Sequence, residues 1–466
     1  MLKRNKSFVI SLVVVMLFTL MPMNVFADWT QFQGDIVNSG VTTDKLPTSS
    51  SITADWITKT ESAGWFGIDT VPLVIGDNAY VFASSNLYKI NISNGRKVWE
   101  IKVDSDGGFQ LSTTATDGSN IYLGVQEKDK TDNKIKLKVK KVSNLNGTPN
   151  VTELAVLSEG GQLNTPITYD NGKLYFGTWK GTVDTTTGGV YYCVDASNGN
   201  IVWKYTGVKN DNREDGFYWA GAAIVGNYMI FGNDASYIHV LDKNNGTEKD
   251  KFDLRKVHTD SREVRSSICV YDNSAYFTDK GGYLWKLNIN SDGTLKYEWS
   301  RKIGYTTSTP VVVKNSKVDR KNSRIYVGQG QFSGGKLVCY DTKGNCKWEY
   351  KGIGGVQSSP IVYSDGVYNY IYFTENSAKG RGYCIKDKGY NASLVWTYTP
   401  PRDEMQNYTL QGMAPAGEYV IYGNDAGYLF GIKEKTLKRA FKIEPLVADI
   451  DKLQEESVAV DVYEKK

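Results

Sequence analysis

The chain has 466 residues, of which 40% are hydrophobic and 23% are charged, with 55 basic against 51 acidic side chains. This length and apolar content suffice for a large globular fold, and the near balance of charge excludes the dense basic stripe that nucleic-acid binding requires. The first 27 residues carry three of the basic side chains, which leaves 52 basic against 51 acidic residues in the remainder. We therefore expect no nucleic-acid partner.

The N-terminus has the pattern of a secretory signal peptide. Lys3, Arg4 and Lys6 precede an almost unbroken apolar run over residues 8–21, and the segment ends in a small-residue context at Ala27. The run is short for a bilayer span, and an uncleaved anchor is the alternative. No lipid-attachment cysteine lies near the cleavage point. We expect residues 1–27 to be removed and the protein to be secreted or cell-surface, without a membrane span.

One hairpin pattern recurs along most of the chain. Its clearest copy, VYYCVDASNGNIVWKY over residues 190–205, joins an alternating strand, a turn ending in glycine and an apolar strand with a tryptophan. Eight copies recur at roughly fifty residues, a period that indicates propellers or arrays. Another pair of short apolar runs precedes each hairpin, so each unit is predicted to form four antiparallel strands. The sequence predicts an all-β, eight-bladed β-propeller, with seven blades as the alternative.

The order of residues within the repeat carries a family resemblance. S-x-P-apolar, a turn, a YVG-like strand, Y-x-apolar-D, a turn with glycine and then tryptophan resembles the pyrroloquinoline-quinone-type propeller repeat. DWTQFQGDIVNSG from Asp28 is similar to the lead-in that often precedes such propellers. The GH and WD pairs of WD repeats are missing. We predict a lead-in over residues 28–49, a propeller over 50–443 and a charged tail over 444–466.

Two segments compete to close the ring. SITADWITKT, residues 51–60, has Trp56 at the tryptophan position of the repeat and is predicted to complete the eighth blade from the N-terminal side. The alternative is KRAFKI, residues 438–443, as that blade's own last strand. Closure by residues 51–60 would remove the open edge that a partial ring leaves.

Aromatic and sulfur side chains recur at fixed positions of the repeat. The last-strand tryptophans are expected to fill space between blades rather than to bind a planar ligand. Cys193, Cys339 and Cys384 share one position, which predicts a packing role, although a disulfide between Cys339 and Cys346 is left open. The basic run KIKLKVKK, residues 134–141, is interpreted as a solvated blade face or a protected edge, with a polyanion site as the alternative.

The resemblance raises the question of catalysis. Quinoprotein dehydrogenases hold their quinone with a vicinal cysteine pair, a tryptophan floor and calcium bound by carboxylate and amide oxygens. This sequence has no adjacent cysteines and no recognisable matching set, and its two histidines, His239 and His258, fall in different parts of their blades. No catalytic residue, metal or cofactor is therefore predicted.

The predicted function is an exported, non-catalytic binding or scaffold propeller, monomeric, that engages a protein or a cell-surface glycan. The outer-membrane assembly lipoprotein and its relatives use the same repeat in that way. One alternative is an extracellular polysaccharide lyase or glycosidase with carboxylates assembled across the ring. Another is a quinone-dependent dehydrogenase.

The partner is expected to bind where the connections between blades converge around the channel mouth. These connections supply aromatic, amide and arginine side chains, which are typical of interface hot spots and also suit sugar rings. Several of the aromatics could instead plug the channel. The candidate partner-binding residues, with Trp65, Trp219 and Arg265 foremost, are Trp65, Phe66, Gln110, Gln162, Tyr218, Trp219, Arg262, Arg265, Gln357 and Gln411.

Overall fold

The computed structural model describes residues 27–435 except for residues 62–66, 69, 105–113, 130, 160, 181–187, 208–214, 315–316, 318–321 and 333. The chain divides into two units, Met1–Glu434 and Lys435–Lys466, and every element below belongs to the first. In the described residues the fold is all-β, apart from three short 3-10 helices at Phe32–Gly34, Leu254–Lys256 and Asp403–Met405. No helix in this part of the chain is long and apolar enough to span a membrane. The predicted signal peptide up to residue 26 and the tail at 444–466 lie outside the described residues.

The described part forms eight blades, each with four antiparallel strands, and within blades 1–7 these four strands follow one another in chain order. Blade 7 carries a fifth strand, Val41–Thr42, which pairs parallel with its first strand, Ile361–Ser364. Two strands, β1 (Val41–Thr42) and β2 (Ile52–Lys59), precede blade 1. Blades 1 and 2 contain β3 (Leu73–Ile75), β4 (Asn78–Ala83), β5 (Asn86–Asn91) and β6 (Lys97–Lys102), then β7 (Ala115–Thr116), β8 (Ile121–Lys128), β9 (Ile135–Ser143) and β10 (Asn150–Glu159). Blades 3 and 4 contain β11 (Thr168–Asp170), β12 (Lys173–Gly177), β13 (Tyr191–Asp195) and β14 (Ile201–Tyr205), then β15 (Ala223–Val225), β16 (Tyr228–Gly232), β17 (Tyr237–Asp242) and β18 (Glu248–Asp253).

The second half of the ring repeats the same meander. Blades 5 and 6 contain β19 (Cys269–Tyr271), β20 (Ser274–Thr278), β21 (Tyr283–Ile289) and β22 (Leu295–Lys302), then β23 (Val311–Val313), β24 (Arg324–Gln329), β25 (Gly335–Asp341) and β26 (Cys346–Ile353). Blades 7 and 8 contain β27 (Ile361–Ser364), β28 (Asn369–Thr374), β29 (Gly382–Asp387) and β30 (Ala392–Tyr398), then β31 (Ala414–Ala416), β32 (Tyr419–Gly423) and β33 (Tyr428–Glu434). The predicted eight-bladed propeller is confirmed.

The eighth blade is completed from the N-terminal side. Strand β2 pairs antiparallel with β33, from Ile52 opposite Glu434 to Lys59 opposite Tyr428. Strand β2 is therefore the fourth strand of blade 8, although it lies far from the other three strands in sequence. This pairing confirms the closure predicted for residues 51–60. The competing strand at residues 438–443 lies outside the described residues.

Tryptophans on the outermost strands connect neighbouring blades by hydrogen bonds and packing. Trp56 Nε1 donates to the Ile92 carbonyl of blade 1 at 2.6 Å, and Trp203 Nε1 donates to the Lys243 carbonyl of blade 4 at 2.9 Å. The glycine of the receiving turn makes room, because a Cβ atom on Gly95 would lie 2.7 Å from Trp56. The indoles of Trp99, Trp299 and Trp396 likewise donate to the backbone carbonyls of Leu145, Thr342 and Pro47. Trp348 reaches the next blade through a side chain, since its Nε1 donates to Asp387 Oδ1 at 2.9 Å. The predicted interblade role of these tryptophans is confirmed.

The cysteines pack rather than pair. Cys193, Cys339 and Cys384 lie directly opposite the tryptophans of the neighbouring strand, at Trp203, Trp348 and Trp396. All five cysteines are free, so no disulfide joins Cys339 and Cys346. Burial raises the pKa of Cys193 and of Cys269 to about 12.

We expect a thiol reagent at neutral pH to modify one cysteine in the native protein. Cys346 is exposed, whereas the other four thiols are buried and reagents attack only accessible thiolates. The measurement is mass spectrometry after labelling, native and in denaturant, with Cys346→Ser as the control that should show no native labelling. Native labelling of two or more cysteines would contradict the packing described here.

The lysine run of blade 2 is neutralised within the blade. Lys138 and Lys140 contact Glu127 of β8 at 3.2 Å and 2.9 Å, and Lys136 contacts Asp129 and Asp132 at 3.0 Å each. Strand β9 pairs with both β8 and β10. The interpretation as a sheet edge is therefore wrong, and three lysines of the run pair with acidic side chains of the same blade.

The lead-in segment runs inside the ring. Its backbone exchanges hydrogen bonds with the first strands of the blades, from Trp29 with Val74 in blade 1 to Gly40 with Val362 in blade 7. The Asn38 side chain donates to the carbonyls of Ala222 and Ile268 at 3.0 Å and 2.8 Å. Because the first strands line a propeller channel, this segment lies in the channel.

Candidate functional site

A cavity of about 480 Å³, measured to its open mouth, lies above the lead-in segment. Its walls come from the connections that lead into the first strands of blades 3 to 8, and Phe32 of the lead-in contributes to its lining. We call this cavity the cup. Its lining residues are Phe32, Asn164, Pro166, Trp219, Arg265, Thr307, Thr309, Gln357, Ser359, Leu410, Gln411 and Gly412.

Trp219 lines the cup with a strained backbone. Its φ of 64° is in the left-handed region, which a bulky residue adopts at a cost on the order of 1–3 kcal/mol. Its carbonyl accepts hydrogen bonds from the Gly221 N–H at 3.0 Å and the Ser267 hydroxyl at 3.4 Å, which hold the conformation. Strain of this kind is concentrated at functional sites.

Arg265 forms the charged part of the wall. Its Nε and Nη2 donate to the two oxygens of Asp234 at 3.1 Å and 2.9 Å, and its guanidinium lies 4.5 Å from the centre of the Tyr218 ring. Burial opposes the charge, but Asp234 outweighs this effect and the pKa of Arg265 is raised. Trp179 Nε1 donates to the same carboxylate at 3.0 Å. The wall is therefore rigid and close to neutral.

Hydroxyl groups tie the blades together around the cup. The Ser267 N–H donates to Thr309 Oγ1 at 2.9 Å, and the Thr309 N–H donates to Ser359 Oγ at 3.0 Å. The Gly221 N–H likewise donates to Ser267 Oγ at 3.0 Å. Each blade thus fixes the hydroxyl of the next, and the ring of blades 4 to 7 holds these groups in place.

The amide side chains of the cup are also held by neighbours. Asn164 is fully buried, and its Nδ2 donates to Gln162 Oε1 at 2.6 Å. Gln357 Oε1 accepts from Asn376 Nδ2 at 2.7 Å. These contacts fix the orientation of each amide.

Four of the ten candidate residues line the cup, namely Trp219, Arg265, Gln357 and Gln411. Gln162 and Tyr218 lie behind it as supports of Asn164 and Arg265. The Arg262 side chain is half exposed and contacts Glu263 at 3.4 Å, outside the lining. Trp65, Phe66 and Gln110 lie outside the described residues.

Sequence reasoning missed Phe32, Asn164, Leu410 and the hydroxyl groups of the cup. The hydroxyl residues had a signal, because Thr309 and Ser359 occupy the position before proline in the repeated start of the first strand. Asn164 had none, since only the fold brings it to the channel.

The stability of the propeller depends on pH through Asp279, which follows β20 in blade 5. Burial raises its pKa to about 6, against hydrogen bonds from Trp285 Nε1 at 3.0 Å and the Tyr283 N–H at 3.2 Å. Because the pKa of Asp279 is higher in the folded state than in the unfolded state, its protonated form stabilises the fold below about pH 4. This stabilisation is lost as the pH rises through about 6.

We expect the free energy of unfolding of wild type to fall relative to that of Asp279→Asn between about pH 4 and about pH 6, as measured by urea denaturation. A difference that is constant from pH 4 to pH 7 would contradict this assignment.

Comparison with known proteins assigns the family. A family model described as the outer membrane protein assembly factor BamB matches residues 138–442. The chain belongs to the BamB family. The crystal structure of BamB from Moraxella catarrhalis matches with a TM-score of 0.53 and 14% identity, over 81% of this chain and 100% of that chain. A search of curated proteins finds no match.

The fold of this BamB-family chain is also that of quinone enzymes. Quinohemoprotein alcohol dehydrogenase from Comamonas testosteroni matches with a TM-score of 0.64 and 11% identity, over 87% of this chain and 80% of that chain. A europium-containing methanol dehydrogenase matches with a TM-score of 0.58 and 10% identity, over 87% and 98% of the two chains. At identities this low, the two TM-scores show a shared fold alone.

The cup does not fit a quinone held with a metal ion. Such a site needs carboxylate and amide oxygens around the ion, and the lining contains amides but no carboxylate. Within the described residues no group of three or more His, Cys, Asp or Glu side chains is placed to hold a metal ion. The sequence also has no adjacent cysteines.

Proposed function

We propose that this protein is an exported, non-catalytic binding propeller that engages a protein or a cell-surface glycan through the cup and its rim. The observation that carries the proposal is the cup itself, a cavity above the lead-in whose walls are six interblade connections. Loops on a rigid scaffold are where binding residues concentrate. Membership of the BamB family supports a scaffold role, and the signal pattern of residues 1–27 supports export.

The composition of the cup and its rim supports binding. Trp219, Tyr218 and Arg265 form one connected cluster, and tryptophan, tyrosine and arginine dominate interface hot spots. On the rim, Phe332 is 54% exposed, and its ring lies 6.0 Å from that of Tyr408. Exposed aromatics beside a cavity are typical of surfaces that partners cover.

The chemistry of the lining favours binding over catalysis. A general acid or base must reach the reacting atoms, and the described lining carries no carboxylate, histidine or lysine. Arg265 is held in an ion pair with Asp234. The lining thus offers recognition groups rather than proton-transfer groups.

Affinity capture tests this proposal. Immobilised protein starting at residue 28 should retain a specific partner from an outer-surface extract, and it should release no reducing or unsaturated ends from polysaccharides in that extract. Sugar-end release without retention would favour the polysaccharide-enzyme alternative. Failure to retain any component would contradict the binding role.

A further inference from the structure

One buried acceptor in the cup has no partner in the described part of the chain. Asn164 has 0% exposure, and its Oδ1 accepts no hydrogen bond there. The opposite end of the amide is engaged by Gln162, which fixes its orientation. A buried acceptor without a hydrogen bond destabilises the fold by about 1–3 kcal/mol, so we infer that a ligand donates a hydrogen bond to this oxygen.

Three buried hydroxyls present the complementary groups. Thr309 and Ser359 accept backbone N–H groups, and Thr307 accepts from Gln357 Nε2 at 3.5 Å. Among the described residues each of these three hydroxyls accepts a hydrogen bond and none of them donates one. A hydroxyl can both donate and accept, so each can still donate into the cup.

The charge and shape of the cup narrow the ligand further. Asp234 offsets the charge of Arg265, whose Nε and Nη2 both donate to its carboxylate. The lining has no other charged group, which disfavours cations and strongly anionic ligands. Trp219 adds an aromatic residue to this lining.

We propose that the cup binds one neutral sugar unit of a glycan. Sugar hydroxyls both donate and accept, so they match the acceptor of Asn164 and the donors of Thr307, Thr309 and Ser359 together. The apolar C–H face of the ring matches the indole of Trp219. This proposal rests on the binding role above and specifies which of its two partner classes enters the cavity.

The test is isothermal titration of wild type with three neutral trisaccharides: maltotriose, cellotriose and the trimer of N-acetylglucosamine. At least one should bind saturably, and Trp219→Ala should weaken it at least about tenfold. Thr307→Val removes one donor at nearly constant shape and should weaken binding about fivefold, whereas Thr307→Ser keeps the hydroxyl and should restore it. Tyr390→Ala, at an exposed aromatic in the turn between β29 and β30 on the opposite face, is the matched control and should bind as wild type.

Each outcome decides the sugar assignment. Absence of binding by all three trisaccharides up to about 10 mM would overturn it, as would equal binding by wild type and Trp219→Ala. Capture of a protein partner without sugar binding would overturn the sugar assignment and leave the binding role intact. Thermal melting of each variant separates loss of binding from loss of fold. If Trp219→Ala does not fold, the comparison of Thr307→Val with Thr307→Ser tests the assignment, and equal binding by these two variants would overturn it.

Discussion

Replacing Trp56 with alanine is expected to destabilise the propeller by about 3–5 kcal/mol. Trp56 is buried, packs on Gly95 and donates to the Ile92 carbonyl of blade 1. It also lies on β2, the strand that joins the two ends of the ring. The substitution therefore removes a large buried side chain and weakens closure at the same position. The measurement is the free energy of unfolding from urea denaturation followed by circular dichroism.

The matched comparison for this prediction is Trp203→Ala. Trp203 makes the equivalent contact, to the Lys243 carbonyl at 2.9 Å, but lies in blade 3, whose four strands follow one another in chain order. Both variants lose a buried indole, so the excess loss in Trp56→Ala measures the closure contribution. A loss below about 1 kcal/mol for Trp56→Ala would show that β2 is not needed to close the ring.

Replacing Trp219 with alanine is expected to weaken partner capture at least about tenfold, equivalent to about 1.4 kcal/mol, with little change in melting temperature. Trp219 lines the cup and is only partly buried, so its removal takes contact surface from the partner more than from the core. The affinity of the captured partner, measured by surface plasmon resonance, gives the result.

Backbone strain provides the control for this second prediction. Glycine adopts a positive φ without the penalty that other residues meet, so Trp219→Gly should melt at or above the temperature of Trp219→Ala while binding as weakly. Normal binding by both variants would mean that the indole serves the fold and not the partner.

The fold could be predicted because the same packing contact recurs between neighbouring blades and leaves a repeat in the sequence. A tryptophan needs a glycine turn in the next blade to receive it, so the pair Trp203 and Gly246 is visible as a spacing in the sequence. Trp56 could be assigned to the closing strand for the same reason. The blade count followed from the period of these markers.

The path of the lead-in could not be predicted, because no periodic pattern encodes it. Its position depends on single long-range hydrogen bonds, such as those of Asn38 to Ala222 and Ile268, which are about two hundred residues away in sequence. The ion pairs of the blade 2 lysines could not be predicted for a related reason. Their neutralisation by Glu127 depends on the register of β8 against β9.

The candidate site was predictable in part. Connections into first strands were expected to converge, and Trp219, Arg265, Gln357 and Gln411 do line one cavity. Asn164 and Phe32 were not foreseen, because a buried polar side chain and a core aromatic look ordinary in sequence. Their contribution appears only when six connections and the lead-in are brought together.

Hydrogen–deuterium exchange of the protein with and without its captured partner tests the binding face most directly. We expect new protection in the six connections of the cup, at residues 161–167, 215–221, 261–266, 305–309, 356–359 and 407–412. The turns on the opposite face, at residues 195–200, 242–247 and 387–391, should exchange as in the free protein. Protection confined to those turns, with the cup connections unchanged, would contradict the assignment of the cup as the partner-binding site.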